Sequence, residues 1–410
     1  MQPHKSRPWL TIGQLLVSSL GCLVSLLVAS ISFISGCSLL LNTAAPNQES
    51  IPFYSIAAIG FFLCALHAIS LTHAVRRLRG KARHVHPPKR LYRTATFLML
   101  GWPLILLAGY YVSQSESGYF FMPIINLMSV VIPIWWLLEY GRRKLVRSSP
   151  QRSWGLISAS LSITISVTIA LEVVILLTAI FTLFILLSTQ PGWVETFEQL
   201  NALAYSVELD LQVIERFLQT LIAEPLSASM LFIIVGAVMP LVEEFLKPLA
   251  MWALARRNLS PSEGFVLGLL SGAAFALLES AGLVSQLSGI VWAPLVLLRF
   301  STSLLHITAS GLVGWGLASA WSKKLYKRAM LSFLAAAALH GVWNTLALAL
   351  GFSPFLLSTE PAAFTLSGGQ IIAVVLMITE LIGIFILLTI MNHRLRNESI
   401  TQDNVVEPAA

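Results

Sequence analysis

Long stretches of this 410-residue chain carry at most one charged side chain, and this feature limits its possible folds more than any other. The clearest are Leu10–Leu41, Trp154–Ser188 and Ile371–Met391. About 20 apolar residues are enough for a helix to cross the hydrocarbon core of a bilayer. Charged residues make up only 11% of the chain, against roughly 25% in a soluble domain. The sequence therefore predicts a multi-pass membrane protein and excludes a soluble globular one.

The basic residues bunch between the apolar stretches, which explains the pI near 9.5 without a nucleic-acid partner. Cytoplasmic loops of membrane proteins carry an excess of Lys and Arg. If every cluster faces the cytoplasm, the rule is obeyed throughout and both termini are cytoplasmic. The clusters are Lys5–Arg7, Arg76–Arg93, Arg142–Arg152, Arg256–Arg257, Lys323–Arg328 and Arg394–Arg396.

Alternation of these clusters with apolar stretches predicts ten membrane spans in an all-α protein. The period-2 pattern of a membrane β-barrel is absent from the sequence. The first span contains Ile34–Cys37, which looks like a lipoprotein cleavage box. Its apolar stretch is about twice the 7–15 residues of a signal peptide, so a retained span is expected. The predicted spans are 10–38, 52–75, 94–113, 120–140, 154–188, 228–255, 262–285, 290–320, 329–352 and 369–391.

Ionisable residues inside spans are the candidates for function, because each costs about 2.5–3.5 kcal/mol to place in lipid. Four consecutive spans, the sixth to the ninth, carry most of them. At about 1.5 Å per residue, Glu243, His340, His306 and Glu279 lie roughly 16–26 Å from the cytoplasmic end, which allows one shared pocket. Arg299 is expected near the outer interface, where its side chain can snorkel. The candidate residues are Glu243, Glu244, Lys247, Glu279, His306, His340 and Asn344.

Two prolines flank the first of these candidates. Pro240 and Pro248 lack an N–H group, so the carbonyls of Gly236 and Glu244 lose their helical partners. Freed backbone groups at membrane depth are tolerated where they line a cavity or find protein partners. The sixth span is therefore predicted to be a kinked helix that lines a pore or an active site.

The available chemistry is limited by what the sequence lacks. No HExxH motif is present, which excludes a zincin-type metal helix. The only aspartates, Asp210 and Asp403, lie outside the predicted spans, which excludes a paired-aspartate intramembrane protease. Glutamate and histidine acting on water remain.

Four short motifs in these spans resemble the PrsW-type intramembrane proteases, relatives of the CAAX-prenyl endopeptidases. Glu243–Lys247 matches their EExxK motif, and Phe275–Glu279 matches FxxxE. His306 is similar to their third motif, and His340 followed by Asn344 is similar to the fourth. Ser280 departs from the asparagine expected after the second motif.

The resemblance implies an intramembrane endopeptidase whose substrate is a membrane protein, with an anti-sigma factor as the best-known type. Glu243 or Glu244 would take a proton from water, and His306 or His340 would stabilise the oxyanion. Glu279 would hold the water or protonate the leaving amine, and Asn344 would orient His340 or the scissile carbonyl. Lys247 would partly neutralise the carboxylates of Glu243 and Glu244. Metal-independent catalysis by glutamate is slightly favoured, and a divalent metal such as zinc is left open, with Glu279, His306 and His340 as its ligands.

This interpretation divides the chain into five segments in a bacterial plasma membrane. Residues 1–190 form five spans of unknown task, and 191–227 form an external amphipathic segment that either covers the bundle or docks substrate. The PrsW-like core occupies 228–352. An external loop and the last span follow at 353–396, and 397–410 form a cytoplasmic tail.

Two other classes of function compete with the protease. Buried charges and a proline-broken helix also suit an ion-coupled transporter, but that class predicts repeats, which the two halves of the sequence lack. A non-catalytic scaffold on the same fold is expected to have lost the Glu243–Glu244 pair, which this chain keeps.

Overall fold

The computed structural model describes residues 8–41, 47–81, 90–115, 118–204, 220–221, 223–255, 257, 259–351 and 367–406, and these residues are helical with short connections. Their α-helices are α1 (Pro8–Leu41), α2 (Ile51–Leu78), α3 (Leu91–Val112), α4 (Gly118–Gly141), α5 (Pro150–Ala159), α6 (Ile165–Ser188), α7 (Pro191–Ala204), α8 (Pro225–Ile233), α9 (Met239–Leu246), α10 (Leu249–Trp252), α11 (Pro261–Val284), α12 (Trp292–Lys323), α13 (Tyr326–Gly351) and α14 (Gly368–Val406). Single π-helical turns join α5 to α6 (Ser160–Thr164) and α8 to α9 (Ile234–Val238).

The described residues contain ten helical segments that are long and apolar enough to cross a membrane, which confirms the predicted number. Each observed boundary lies within a few residues of the predicted one, except at the C-terminal end of α14. The segments are Trp9–Leu41, Ile51–Leu78, Leu91–Val112, Gly118–Gly141, Pro150–Ser188, Pro225–Trp252, Pro261–Val284, Gly289–Lys323, Tyr326–Gly351 and Gly368–Glu398.

The chain divides into two compact units. Unit 1 comprises Met1–Ile165, Glu244–Leu339 and Ile378–Ala410. Unit 2 comprises Ser166–Glu243 and His340–Met377. The five segments predicted from the sequence stay a prediction.

Small residues bring α11 and α12 into close backbone contact in unit 1. Gly264, Gly268 and Gly272 recur every four residues and therefore share one face of α11. A Cβ on any of them would collide with a carbonyl oxygen of α12, respectively that of Gly314, Ser310 or His306. Small residues at such spacing let transmembrane helices approach closely. The close packing at Gly272 thus fixes the backbone of α12 at His306.

Replacement of Gly272 by Ala is expected to lower the free energy of unfolding by about 1–3 kcal/mol, the usual cost of overpacking. The added methyl group meets backbone atoms of α12, which cannot rotate away. Unfolding by SDS in mixed micelles measures the effect. Gly282→Ala in the same helix is the matched control, since its Cβ would meet nothing within 4 Å. Equal stability of the two variants would contradict this account of the packing.

His67 is a packing residue of unit 1, as its isolated position in the sequence suggests. Its Nδ1 lies 2.8 Å from Ser158 Oγ, which lies 3.0 Å from Ser18 Oγ. Ser18 in turn donates to Ser70 Oγ at 2.9 Å. These buried hydrogen bonds join α1, α2 and α5, and they satisfy polar groups that lipid would leave without partners.

The predicted amphipathic segment begins as a helix of unit 2. α7 covers its first turns, while residues 205–219 lie outside the described part of the chain. Trp193 is buried, and its ring lies 5.7 Å from that of Phe197. Phe197 also contacts Phe184 of α6, with ring centroids 4.6 Å apart. The described part of this helix therefore packs by its aromatic face onto the preceding span.

Candidate active site

The predicted site residues are distributed over both units. Unit 1 contains Glu244, Lys247, Glu279 and His306, and unit 2 contains Glu243, His340 and Asn344. The prediction that all of them line one pocket stays a prediction. Within each unit, however, the side chains are brought into specific contacts that sequence spacing could not define.

Lys247 occupies a break in the sixth span, as the prolines predict. α9 ends at Leu246 and α10 begins at Leu249, because Pro248 cannot donate the next helical hydrogen bond. The Lys247 carbonyl instead accepts a hydrogen bond from Ser271 Oγ of α11. The break therefore places Lys247 outside regular helical geometry and ties its backbone to a neighbouring helix.

The Lys247 side chain is completely buried and neutralises Glu244. Its Nζ donates to Glu244 Oε1 at 2.5 Å and lies 2.8 Å from His306 Nδ1. An ammonium group has only donors, so Nδ1 of His306 accepts this bond. A buried charge of either sign would be costly without such a partner.

His306 is held from both sides of its ring. Its Nε2 lies 2.7 Å from Glu279 Oε2, and because Nδ1 already accepts from Lys247, Nε2 carries the proton in this arrangement. The ring is thus fixed as the neutral Nε2–H tautomer between an ammonium group and a carboxylate. A histidine fixed in this way has a defined orientation and a defined donor.

Phe275 explains the first position of the FxxxE motif. It lies one helical turn before Glu279, so both project from the same face of α11. Lys247 Nζ is 4.5 Å from the centre of its ring, a distance typical of a cation–π contact. The His306 ring meets it edge-on, with centroids 5.2 Å apart. Phe275 therefore packs against both the Lys247 ammonium group and the His306 ring.

The Arg299 side chain is paired inside unit 1 rather than extended towards the interface, so the expectation that it snorkels was wrong, while its depth in the membrane stays a prediction. The side chain is buried, and its Nη2 lies 2.8 Å from Glu279 Oε2. Its Nε donates to Ser280 Oγ at 3.2 Å, so the serine that departs from the family motif holds this arginine. Pairing with Glu279 is favoured because a guanidinium group inside the bundle needs a carboxylate partner. Depth along a helix indicates only how far a residue lies from the interface, not which neighbour it faces.

These contacts form one charge-balanced network in unit 1. Glu244 and Glu279 carry two negative charges, and Lys247 and Arg299 carry two positive ones, with neutral His306 between the pairs. The Glu244–Lys247 pair is completely buried, whereas 35% of the Glu279 side chain is exposed. Ion pairs of good geometry are tolerated in such surroundings because each charge compensates the other. We refer to Glu244, Lys247, His306, Glu279 and Arg299 as the unit 1 network.

In unit 2, a glutamate faces a histidine. Glu243 Oε2 and His340 Nε2 are 3.8 Å apart, and both side chains are buried. This separation is too long for a direct hydrogen bond. Both atoms can nevertheless bind a common water molecule or metal ion. The pair has the chemistry of a general base next to a proton donor.

Asn344 has a structural partner in unit 2. The π-helical turn Ile234–Val238 shifts the hydrogen bonding by one residue, so Met239 N–H reaches the carbonyl of Ile234. In the same register the carbonyl of Val235 would pair with Pro240, which has no N–H. Asn344 Nδ2 donates to this carbonyl at 3.1 Å. The sequence predicted a freed carbonyl at Gly236, and the π-helical register moves the vacancy to Val235.

Replacement of Asn344 by Ala is expected to lower the free energy of unfolding by about 1 kcal/mol, as for other interhelical hydrogen bonds in membranes. The effect should shrink when Pro240 is also replaced by Ala, because the new N–H can serve the Val235 carbonyl. A double-mutant cycle of unfolding in mixed micelles measures this coupling. Strictly additive effects would show that Asn344 does not substitute for the missing N–H.

The donor set fits a divalent metal only in part. A metal ligand must offer a lone pair that no neighbouring cation occupies. In unit 1, Nδ1 of His306 accepts from Lys247 and the Glu279 carboxylate pairs with Arg299, so neither fits well as a ligand unless these contacts change. In unit 2, Glu243 and His340 are spaced like two neighbouring metal ligands.

Comparison with known proteins supports the interpretation of the motifs. The family model described as PrsW family intramembrane metalloprotease matches residues 154–379 of the chain. No curated protein and no solved structure matches the chain. The matched region covers more than half of the 410 residues and contains all seven predicted site residues. The chain therefore belongs to the PrsW family of intramembrane metalloproteases.

Proposed function

We propose that this intramembrane protease hydrolyses a peptide bond in or beside a transmembrane segment, with Glu243 as general base and His340 as its partner. The observation that carries the proposal is the buried 3.8 Å separation between Glu243 Oε2 and His340 Nε2. One water molecule can bind both atoms at that distance. A base must lie within hydrogen-bond reach of the proton it removes, directly or through one water.

In the proposed reaction, Glu243 takes a proton from water while the water oxygen attacks the carbonyl carbon of the scissile bond. His340 donates a hydrogen bond to the oxyanion that develops on the carbonyl oxygen. Protonated Glu243 then returns the proton to the leaving amine, and the amide C–N bond breaks. The proton balance closes without a further reactant.

Glu243 is preferred over Glu244 as the base because their surroundings differ. Glu244 Oε1 is engaged by the Lys247 ammonium group at 2.5 Å. A carboxylate stabilised by a cation at that distance is a weaker proton acceptor. We assign Glu244 to the unit 1 network, which a single peptide bond joins to the base. Within that network, Glu279 and His306 would set the local field. Asn344, which belongs to unit 2, would position α13.

A metal ion is compatible with the same pair. Glu243 and His340 would hold it, and when bound it would polarise the attacking water. Dialysis of the purified protein against a chelator, followed by return of zinc, tests this variant of the proposal. Loss of cleavage that zinc restores would support metal ligation by the pair, and cleavage unaffected by chelation would support Glu243 alone.

The substrate is proposed to be a regulatory membrane protein such as an anti-sigma factor. The catalytic side chains lie in membrane spans, so a scissile bond must enter the bilayer region to reach them. The basic clusters between the spans support cytoplasmic termini in a bacterial plasma membrane.

New protein N-termini in cell membranes test the function and identify the substrate together. Cells with the wild-type chain are compared with cells that carry the Glu243→Gln/Glu244→Gln variant at equal abundance. Peptides that begin in or beside transmembrane segments are expected only with the wild type. Identical profiles under induced expression and several stresses would contradict the proposal and favour a scaffold or a transporter.

A further inference from the structure

A cavity of about 160 Å³ lies in unit 1, and none of the residues assigned to catalysis is among those that line it. It is surrounded by the ends of four helices, the beginning of α1 and α5 and the last residues of α2 and α10. The volume would hold about five water molecules at roughly 30 Å³ each, which is enough for a phosphate group. Its lining includes Arg77, Arg152 and Arg257 together with Leu10, Gln14 and Leu254.

Positive charge dominates this lining. Arg77, Arg152 and Arg257 contribute guanidinium groups, and the described lining residues include no acidic side chain. Glu263, outside the lining, pairs with Arg152 and leaves an excess of positive charge. Guanidinium groups bind phosphate oxygens with paired hydrogen bonds, so their convergence favours this class of anion.

Neutral polar groups fix the position of Arg77. Arg77 donates to Gln151 Oε1, and Gln151 Nε2 donates to Gln14 Oε1 at 3.1 Å. Gln14 Nε2 donates in turn to the Gln151 carbonyl at 3.3 Å and to Ser70 Oγ at 3.1 Å. A site whose side chains are already ordered loses less entropy when it binds a ligand.

The cavity lies beside the ends of candidate membrane spans. Three candidate spans begin or end beside it, since Leu10 and Thr11 follow the start at Trp9, Arg77 precedes the end at Leu78, and Arg152 follows the start at Pro150. Basic pockets between transmembrane helices at the membrane surface bind anionic headgroups. Three arginines in such a pocket are therefore placed to meet a phosphate group.

We propose that this cavity binds a phosphate group, carried either by an anionic phospholipid or by a soluble phosphate. Arg77, Arg152 and Arg257 supply the hydrogen bonds, and the apolar side chains of Leu10 and Leu254 contact the rest of the ligand. This proposal does not depend on the proposed function, because binding can be measured without a substrate.

The cavity is connected to the break at Lys247. Ala250 and Ala253 belong to α10 and its last turn, which begin two residues after Lys247. Ala159 precedes Ser160, whose Oγ lies 3.2 Å from Ser271 Oγ, the donor to the Lys247 carbonyl. A ligand in the cavity would therefore contact both elements that hold this turn.

Binding is measured on the full-length protein with two probes. In the lipid arm, nanodiscs of phosphatidylcholine with and without phosphatidylglycerol are compared, and retained lipid is identified by native mass spectrometry. In the soluble arm, inorganic phosphate is titrated against protein in phosphatidylcholine nanodiscs and followed by calorimetry. Retention of phosphatidylglycerol or binding of phosphate supports the proposal and identifies the source.

Arg257→Gln and Arg77→Gln are each expected to weaken binding about tenfold, because each removes a charge-assisted hydrogen bond. Lys324→Gln/Lys327→Gln removes two exposed positive charges outside the cavity and serves as the control for general attraction to anions. Its binding should match that of the wild type. Failure of both probes to bind, or equal loss in the control and the arginine variants, would overturn the proposal.

Discussion

Replacement of Glu243 by Gln is expected to lower the rate of peptide-bond cleavage by about 10²–10⁴-fold, the usual contribution of a general base. The amide keeps the size of the side chain but cannot take a proton from water. Cleavage of an identified substrate is measured with the purified protein in nanodiscs. Because the base acts only in the transition state, kcat and kcat/KM should fall together.

The control for this experiment is another carboxyl group in a membrane span. Glu380 lies in α14 and has no assigned role, so Glu380→Gln should cleave at the wild-type rate. His340→Ala should lose activity on the same scale as Glu243→Gln, because His340 is proposed to stabilise the oxyanion that forms when Glu243 activates the water. An active Glu243→Gln protein combined with an inactive Glu244→Gln protein would assign the base to Glu244 instead.

Replacement of Lys247 by Met is expected to lower the free energy of unfolding by about 3–5 kcal/mol, because it leaves the buried Glu244 carboxylate without its cation. The same change removes the donor to His306 Nδ1 and the cation over the Phe275 ring. Unfolding by SDS in mixed micelles measures the stability. The size of the effect reflects burial, since neither Glu244 nor Lys247 exposes any of its side chain.

A second variant distinguishes lost charge compensation from lost packing. In Glu244→Gln/Lys247→Met both charges are gone, so most of the stability should return, as in other buried pairs replaced together. Activity should not return, because the field of the unit 1 network is altered. Lys327→Met, at an exposed position, should leave stability unchanged within about 0.5 kcal/mol. If the double variant is as unstable as Lys247→Met, packing rather than charge explains the loss.

The site motifs were visible in the sequence, but most of their partners were not. Glu244, Lys247, Glu279 and His306 could be selected because ionisable residues are expensive in lipid and therefore rare. Their pairing depends on how each helix is rotated about its axis, and sequence spacing does not predict this rotation across a helix break. Regular helical spacing allows Lys247 to reach either Glu243 or Glu244, and only the structure shows that its ammonium group contacts Glu244 and His306.

Arg299 and Asn344 illustrate the same limit at other positions. The depth of Arg299 suggested the interface, whereas the bundle offers it Glu279 and Ser280. Asn344 donates to the Val235 carbonyl that the π-helical turn leaves without a donor, and its expected role in orienting His340 or the scissile carbonyl stays a prediction. The partner of Asn344 could not be recognised in advance, because a π-helical turn shifts the register without a clear sequence signal. The partners of Arg299 could not be recognised because they depend on how neighbouring helices are rotated.

The sequence by itself determined the class of the protein, the number and approximate bounds of its spans, and the residues that carry its family's motifs. It could do so because the bilayer imposes a fixed thickness and a high cost on isolated charge, and both constraints act on local sequence. Only the tertiary structure decided which charges neutralise each other and to which carbonyl Asn344 donates. It also decided that three arginines far apart in the sequence line one cavity. These contacts depend on helix rotation and close glycine packing, which arise when segments far apart in the chain meet.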